Sequence, residues 1–276
     1  MPKRTKATKN GSYYRPKRNF DQSVKEIVRK ELKDEIEEKH AITEYESIFL
    51  KSAIPAGVVL NAQGNFFKIL PEIDQSVVGE AGRSYNTRIG NEIKLKSIDL
   101  NCSLSYANSN AAQSDYENAK LAVRVMILRS KAINDQELLF DEMPTDTLLR
   151  FGSQSATSGN GATNFTGFPL DSFRDINRDT FSVRYDKVFY LYAPVILPGS
   201  TQPDITVVPS RSRMFKHRLT FGEKGLKLKY SVQADNNPNN FPYFMVVGYT
   251  SMSSTGKPSD NLVRMTLSSV GTYTDA

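Results

Sequence analysis

Lys3, Arg4, Lys6, Lys9, Arg15, Lys17 and Arg18 place seven positive charges in the first twenty residues, and no acid accompanies them. Tyr13 and Tyr14 lie between the two basic clusters. Lysine and arginine neutralise phosphates and release counterions, which gives affinity for a polyanion without choice of sequence. An aromatic face stacks on an unpaired base and contributes ~1–3 kcal/mol; the bland alternative for the two tyrosines is docking of the segment against the interior of its own assembly. These nine residues are the candidate nucleic-acid-binding set. The excess charge is confined to them: of 36 basic and 30 acidic residues, removing the first twenty positions leaves 29 against 30, a net of −1. Charge asymmetry of this kind points to a polyanionic partner, nucleic acid or a membrane surface.

Other chemistry finds few candidates. His40 and His217 are the two histidines and Cys102 the one cysteine, too few and too scattered for a zinc site. His217 falls in phase with Phe215 and Leu219 and reads as a satisfied core or interface imidazole; His40 reads as solvated, at the end of a helix. Asp171, Asp175 and Asp179 recur at i,i+4 spacing and could hold a hard cation. Arg174 and Arg178 are interleaved with them, however, and a salt-bridged surface turn is the favoured reading. Glu137, Asp141 and Glu142 sit in one loop-like stretch, which favours a charged surface over a glycosidase pair. "SGNGATNF" lacks the third glycine and the strand–turn–helix frame of a phosphate loop. The expectation is a protein that is not an enzyme, with no catalytic residue, no metal and no cofactor.

The elements that must position these groups fall into three zones. Residues 1–20 form a basic arm with no apolar period, broken by Gly11 and Pro16, and nothing in it repays the entropy of ordering. Residues 21–51 are an amphipathic helical segment. Val24, Val28, Leu32 and Ile36 recur every four residues, Ser23 with Glu26 matches a capping box, and Glu26–Lys30 and Glu35–Lys39 are favourable pairs, so the spacing predicts a helix over 21–46. That helix packs by one edge on its own domain, docks on a neighbouring subunit, or serves as a spacer. Residues 52–276 read as β. "LAVRVMIL" (121–128) is a strand covered on both faces, and "FKHRLTF" alternates, with Phe215, Leu219 and Phe221 inward and Lys216, Arg218 and Thr220 outward. "IKLKSIDLNCSLSY" changes phase between Leu95 and Ile98, which predicts a bulge or bend near Lys96–Ser97. "GEKG" before "LKLKY" is a hairpin signal. With 64–70, 181–192, 243–251 and 261–273 this gives about eight strands, enough for a two-sheet sandwich, with long polar loops at its ends. No apolar run reaches the ~18 residues of a membrane span, and no secretory signal is expected at the start.

At "RIGNEIKLKSIDL" the chain resembles the segment R-x-G-x-x-I-x-x-K-S-I of capsid proteins of circular Rep-encoding single-stranded (CRESS) DNA viruses. Arg88, Gly90, Ile93, Lys96, Ser97 and Ile98 carry it. "YDKVFYL", "KHRLTF" and "VGYTS…RMTLSSVGTYTDA" are similar in the same order, over roughly residues 60–276. The resemblance implies an all-β fold, an eight-stranded jelly-roll sandwich with a basic N-terminal arm and a short N-terminal amphipathic helix. It also implies self-assembly into an icosahedral shell of about 60 subunits and packaging of circular single-stranded DNA. At that size the arms offset roughly 420 phosphates. The location implied is the virion, with passage through the host nucleus; "PKR" and "RPKRNF" fit nuclear import signals. An arm in which lysine contributes at least as much as arginine, four against three, and the acidic helix behind it, depart from the family's longer arginine-rich arms. Two rivals stay open: a cellular nucleic-acid-binding β-sandwich and a sugar-binding sandwich. A host receptor or glycan is a compatible further partner of the first reading.

Overall fold

The computed structural model describes residues 24–25, 27–28, 38–60, 64–75, 86–107, 119–152, 161–193, 211–232 and 234–275. Residues Glu38–Ala276 form one unit and Met1–Glu37 another. Val24, Lys25, Ile27 and Val28 are helical and exposed.

Two antiparallel sheets form a sandwich. The first runs β1 (Lys39–Phe49), β13 (Val263–Asp275), β5 (Glu92–Tyr106), β10 (Ser212–Thr220), with β11 (Leu226–Lys229) also on β5. The second runs β2 (Phe66–Lys68), β12 (Tyr243–Ser251), β6 (Lys120–Ser130), β9 (Phe181–Tyr192). Period-two alternation dictates what each strand buries. Val263, Met265 and Leu267 of β13 point inward between Arg264, Thr266 and Ser268. They meet Val123, Val125 and Ile127 of β6 and Met245, Val247 and Tyr249 of β12 in a common core. Two short pairs, β3 (Asp74–Gln75) with β4 (Thr87–Arg88) and β7 (Leu149–Phe151) with β8 (Gly161–Thr163), lie off the main sheets.

The phase change in β5 resolves as expected. Ser97 pairs with Thr272 and Leu95 with Tyr273, so Lys96 is the extra residue and both apolar sets face the core. The "GEKG" hairpin is not formed. β10 and β11 pair with successive stretches of the same neighbour, residues 97–105 and 92–95 of β5. They are one edge strand with a jog, and the jog lies opposite the Lys96 bulge. Gly225 makes it possible: at φ +69° a Cβ there would meet the Leu95 carbonyl oxygen at 2.9 Å.

The helix predicted to run through residue 46 is corrected at its C-terminal end. Lys39–Phe49 is an edge strand paired with β13 from Lys39↔Tyr273 to Phe49↔Arg264. The four-residue stripe ends at Ile36, and "AITEY" then alternates, with Ala41 buried and Tyr45 packed on the core between exposed Ile42, Glu44 and Glu46. The sandwich therefore begins before residue 52, and residues 39–51 belong to it rather than to a helical segment.

The two central strands of the second sheet, β6 and β12, are buried on both faces. Beyond them lies a second apolar layer in which Met126, Leu128, Phe244 and Val246 meet Leu139, Phe140, Leu149 and Phe165. The short helix α1 (Gln136–Glu142) supplies part of this cover; Asp135 caps it, accepting from the Glu137 and Leu138 amides at 2.9 and 3.1 Å. Gly248 of β12 gives the Phe165 ring room: a Cβ there would lie 2.6 Å from the ring. Gly248→Val is expected to destabilise the fold by about 1–3 kcal/mol through overpacking, read as a lower urea midpoint with an unchanged slope.

Candidate nucleic-acid interface

The outer face of the first sheet is the β surface that the described chain leaves open. Along β5 it presents Lys94, Asp99, Asn101, Ser103 and Ser105, and along β10 Met214, Lys216, Arg218 and Thr220. The registers place Lys227 directly across from Lys94, Lys229 across from Glu92, Lys216 across from Asn101 and Arg218 across from Asp99. With Lys96, six bases crowd this half of the face. Three acids answer them: Glu38 pairs with Lys96, Glu92 with Lys227 at 2.6 Å, and Asp99 with Arg218 at 3.5 Å. The half-face keeps a net of +3. Among the described residues Lys94, Lys216 and Lys229 make no ion pair. Lys94 and Lys227 stand opposite each other, an arrangement that costs stability, and Glu92 offsets part of it at Lys227. The β1 side of the same face carries exposed Glu44 and Glu46 instead, so the positive charge of the face is concentrated on the β5–β10–β11 side. Hydroxyl and amide groups between the bases can bond phosphate and sugar oxygens.

The arm residues Lys3, Arg4, Lys6, Lys9, Tyr13, Tyr14, Arg15, Lys17 and Arg18 lie outside the described residues. Of the motif residues that carry the resemblance, Arg88, Ile93, Ser97 and Ile98 are buried. Arg88 is fully buried against the Tyr230 ring, 4.1 Å from its centroid. Its Nη1 donates to Gly90 O at 2.5 Å and Asn91 Oδ1 at 3.2 Å, and its Nη2 to Val232 O at 3.1 Å and Asp235 O at 2.9 Å. One guanidinium thus ties the 231–236 loop to the start of β5. Ser97 is buried and accepts from Arg218 Nη2 at 3.1 Å.

The other candidates resolve as follows. His40 is exposed on β1, its Nδ1 3.2 Å from Thr272 Oγ1. His217 packs against the Tyr185 ring at 4.5 Å, but its Nε2 is buried with no hydrogen-bond partner among the described residues, so it is not the satisfied imidazole expected. Burial lowers its pKa. Burial also pushes the Cys102 thiol up to about 12, which leaves it protonated and unreactive at neutral pH. The reading of Asp171 as part of a surface turn is corrected: its carboxylate is fully buried. Asp175 and Asp179 do line an open cleft of about 620 Å³ with Arg150, Phe151 and Asn177, where Arg150 neutralises Asp179 at 2.5 Å. Among the described residues no group of three or more His, Cys, Asp or Glu could hold a metal ion. No helix among them is long and apolar enough to cross a membrane.

The sequence matches no protein-family model and no curated protein. Among solved structures, the chain is similar to one titled "Structure of PNGF-II in P21 space group", with 8% identity over 91% of its own length and a TM-score of 0.34. It spans 36% of that chain, and a likeness this slight carries no argument.

Two outcomes are expected from these sites. Replacing Lys94, Lys216 and Lys229 together by Ala should weaken binding to a single-stranded oligonucleotide. The slope of log affinity against log salt should become shallower by about 2, at ~0.7 for each phosphate no longer neutralised. Stability should fall as pH drops below about 6.5, because the unfolded chain protonates His217 where the folded chain resists it. In His217→Gln, urea midpoints between pH 7.5 and 5.5 should decline less.

Proposed function

We propose that this chain is a capsid subunit that closes into a small icosahedral shell and packages single-stranded DNA through its basic N-terminal arm. The observation that carries the reading is the segregation of charge: seven bases without an acid in twenty residues, beside a remainder of net −1. A cationic tether can condense a polyanion inside a shell, while an electrically balanced domain lets copies of itself approach without repulsion.

The strand order supports the jelly-roll form of the sandwich. Each sheet mixes strands from both ends of the chain: β1 lies beside β13 and β2 beside β12. β5, β10 and β11 complete the first sheet, and β6 and β9 the second. That order fits two nested Greek keys, the pattern shared by viral shell domains and some lectins. The choice of DNA and of the CRESS virus class rests on the resemblance from Arg88 to Ile98. The same reading implies a virion location, nuclear passage during assembly, and a receptor or glycan partner on the host.

The basic half-face of the first sheet favours a second reading, a cellular nucleic-acid-binding module whose fold carries its own positive surface. The two part at high concentration, where only the capsid subunit closes into shells.

Removing residues 1–18 is expected to leave folding intact and to impair packaging. Negative-stain microscopy should still find shells, and their absorbance ratio at 260 and 280 nm should fall to that of bare protein. Truncated shells with undiminished nucleic acid would overturn the role of the arm; full-length protein that never forms shells would overturn the capsid reading.

A further inference from the structure

Between β8 and β9 the turn Phe168–Phe173 holds three large apolar side chains toward solvent: Phe168, Leu170 and Phe173 are 49%, 56% and 66% exposed. Phe151, 40% exposed, adjoins them through the Arg174 guanidinium, which lies 5.8 Å from its ring centroid. A turn so exposed would ordinarily sample many conformations. This one is pinned from beneath by charge. The Asp171 carboxylate accepts from the Thr166 amide at 2.5 Å, the Thr166 hydroxyl at 2.7 Å, the Gly167 amide at 2.9 Å and Arg174 Nη1 at 2.6 Å. Arg124, buried on the outer face of β6, donates through Nη1 to the Asp171 and Arg174 carbonyls at 2.7 Å each. Its Nε and Nη2 hold Asp186 at 2.8 and 2.7 Å. The Ser172 and Thr250 hydroxyls join the turn to β12 at 2.7 Å.

Burying charges costs stability unless they are fully satisfied, and apolar residues of similar size often serve a core better. Here the buried charges fix the shape of an apolar surface. Fixing a contact surface in advance lowers the entropic cost of binding, and rigid aromatic anchors are the side chains that dominate interfaces. We propose that the Phe168–Phe173 turn is a docking surface for a second copy of this chain. The proposal rests on the capsid reading and names the surface through which copies meet.

Three observations favour that occupant. The four side chains offer roughly 350 Å² of apolar surface, close to half of what each partner contributes to a stable protein interface of standard size. The cleft beside the turn is lined by Arg150 together with Asp175 and Asp179, so it offers a phosphate backbone no net positive charge. Beyond residue 20 the chain is balanced to within one charge, so net charge adds little repulsion between identical copies.

The test uses the full-length chain and the Phe168→Ser/Phe173→Ser variant, compared by thermal melting, sedimentation and negative-stain microscopy. The expected variant melts like the parent and needs at least about tenfold more protein to assemble. Hydroxyl-radical footprinting of the parent supplies an independent reading: Phe168, Leu170 and Phe173 should be protected in the assembled form relative to the unassembled one. Parent shells with a folded variant assembling at the parent's concentration, or with unprotected side chains, would overturn this surface and leave the capsid reading standing. A parent that never self-associates would overturn both. Protection seen only with added single-stranded DNA or lipid vesicles would overturn the second copy as occupant.

Discussion

β6 and β12 have no face fit for water. All nine residues of β12 are buried, and β6 is buried from Leu121 to Leu128. A strand of this kind must be covered on both sides, and the first sheet can cover only one. The rest of the fold answers that constraint. α1, the β7–β8 pair and the turns around Phe165 and Leu170 form the second cover, and Gly248 is kept side-chainless so that Phe165 can settle.

Covering one sheet leaves the molecule with two unlike sides. Over the second sheet the outermost layer is a set of turns, on which apolar side chains can be shown at a fixed angle. Over the first sheet the outer face is polar, and basic toward β10 and β11. Protein contacts suit the former and a polyanion suits the latter. The division of labour proposed for arm and domain is thus repeated, more weakly, within the domain.

Among the described residues, two buried arginines work in the same manner. Arg88 satisfies itself on main-chain carbonyls of the 231–236 loop, and Arg124 on carbonyls of the 171–174 turn together with Asp186. In both cases the guanidinium offers several donors in a planar fork, which lysine cannot match. Each ties an irregular segment to the end or back of a sheet where no strand pairing could hold it.

Local pattern by itself determined much of this protein. The alternation of Phe215, Leu219, Lys216 and Arg218 fixed which side of β10 is wet, the slip between Leu95 and Ile98 fixed a bulge, and "LAVRVMIL" announced a strand with two dry faces, because a two-residue period reports burial directly. The confinement of excess charge to twenty residues is likewise plain composition. What only tertiary structure decided concerns partners distant in sequence. Residues 39–49 became strand because β13, more than two hundred residues away, offers an edge that repays extension better than a helix could. "GEKG" became a jog rather than a hairpin because both flanking strands find the same neighbour. Asp171 went inside because Thr166, Gly167, Arg174 and, from another strand, Arg124 converge there to satisfy it. A charge run along a chain says nothing about whether donors will gather around it, and that gathering separates a solvated turn from a buried anchor.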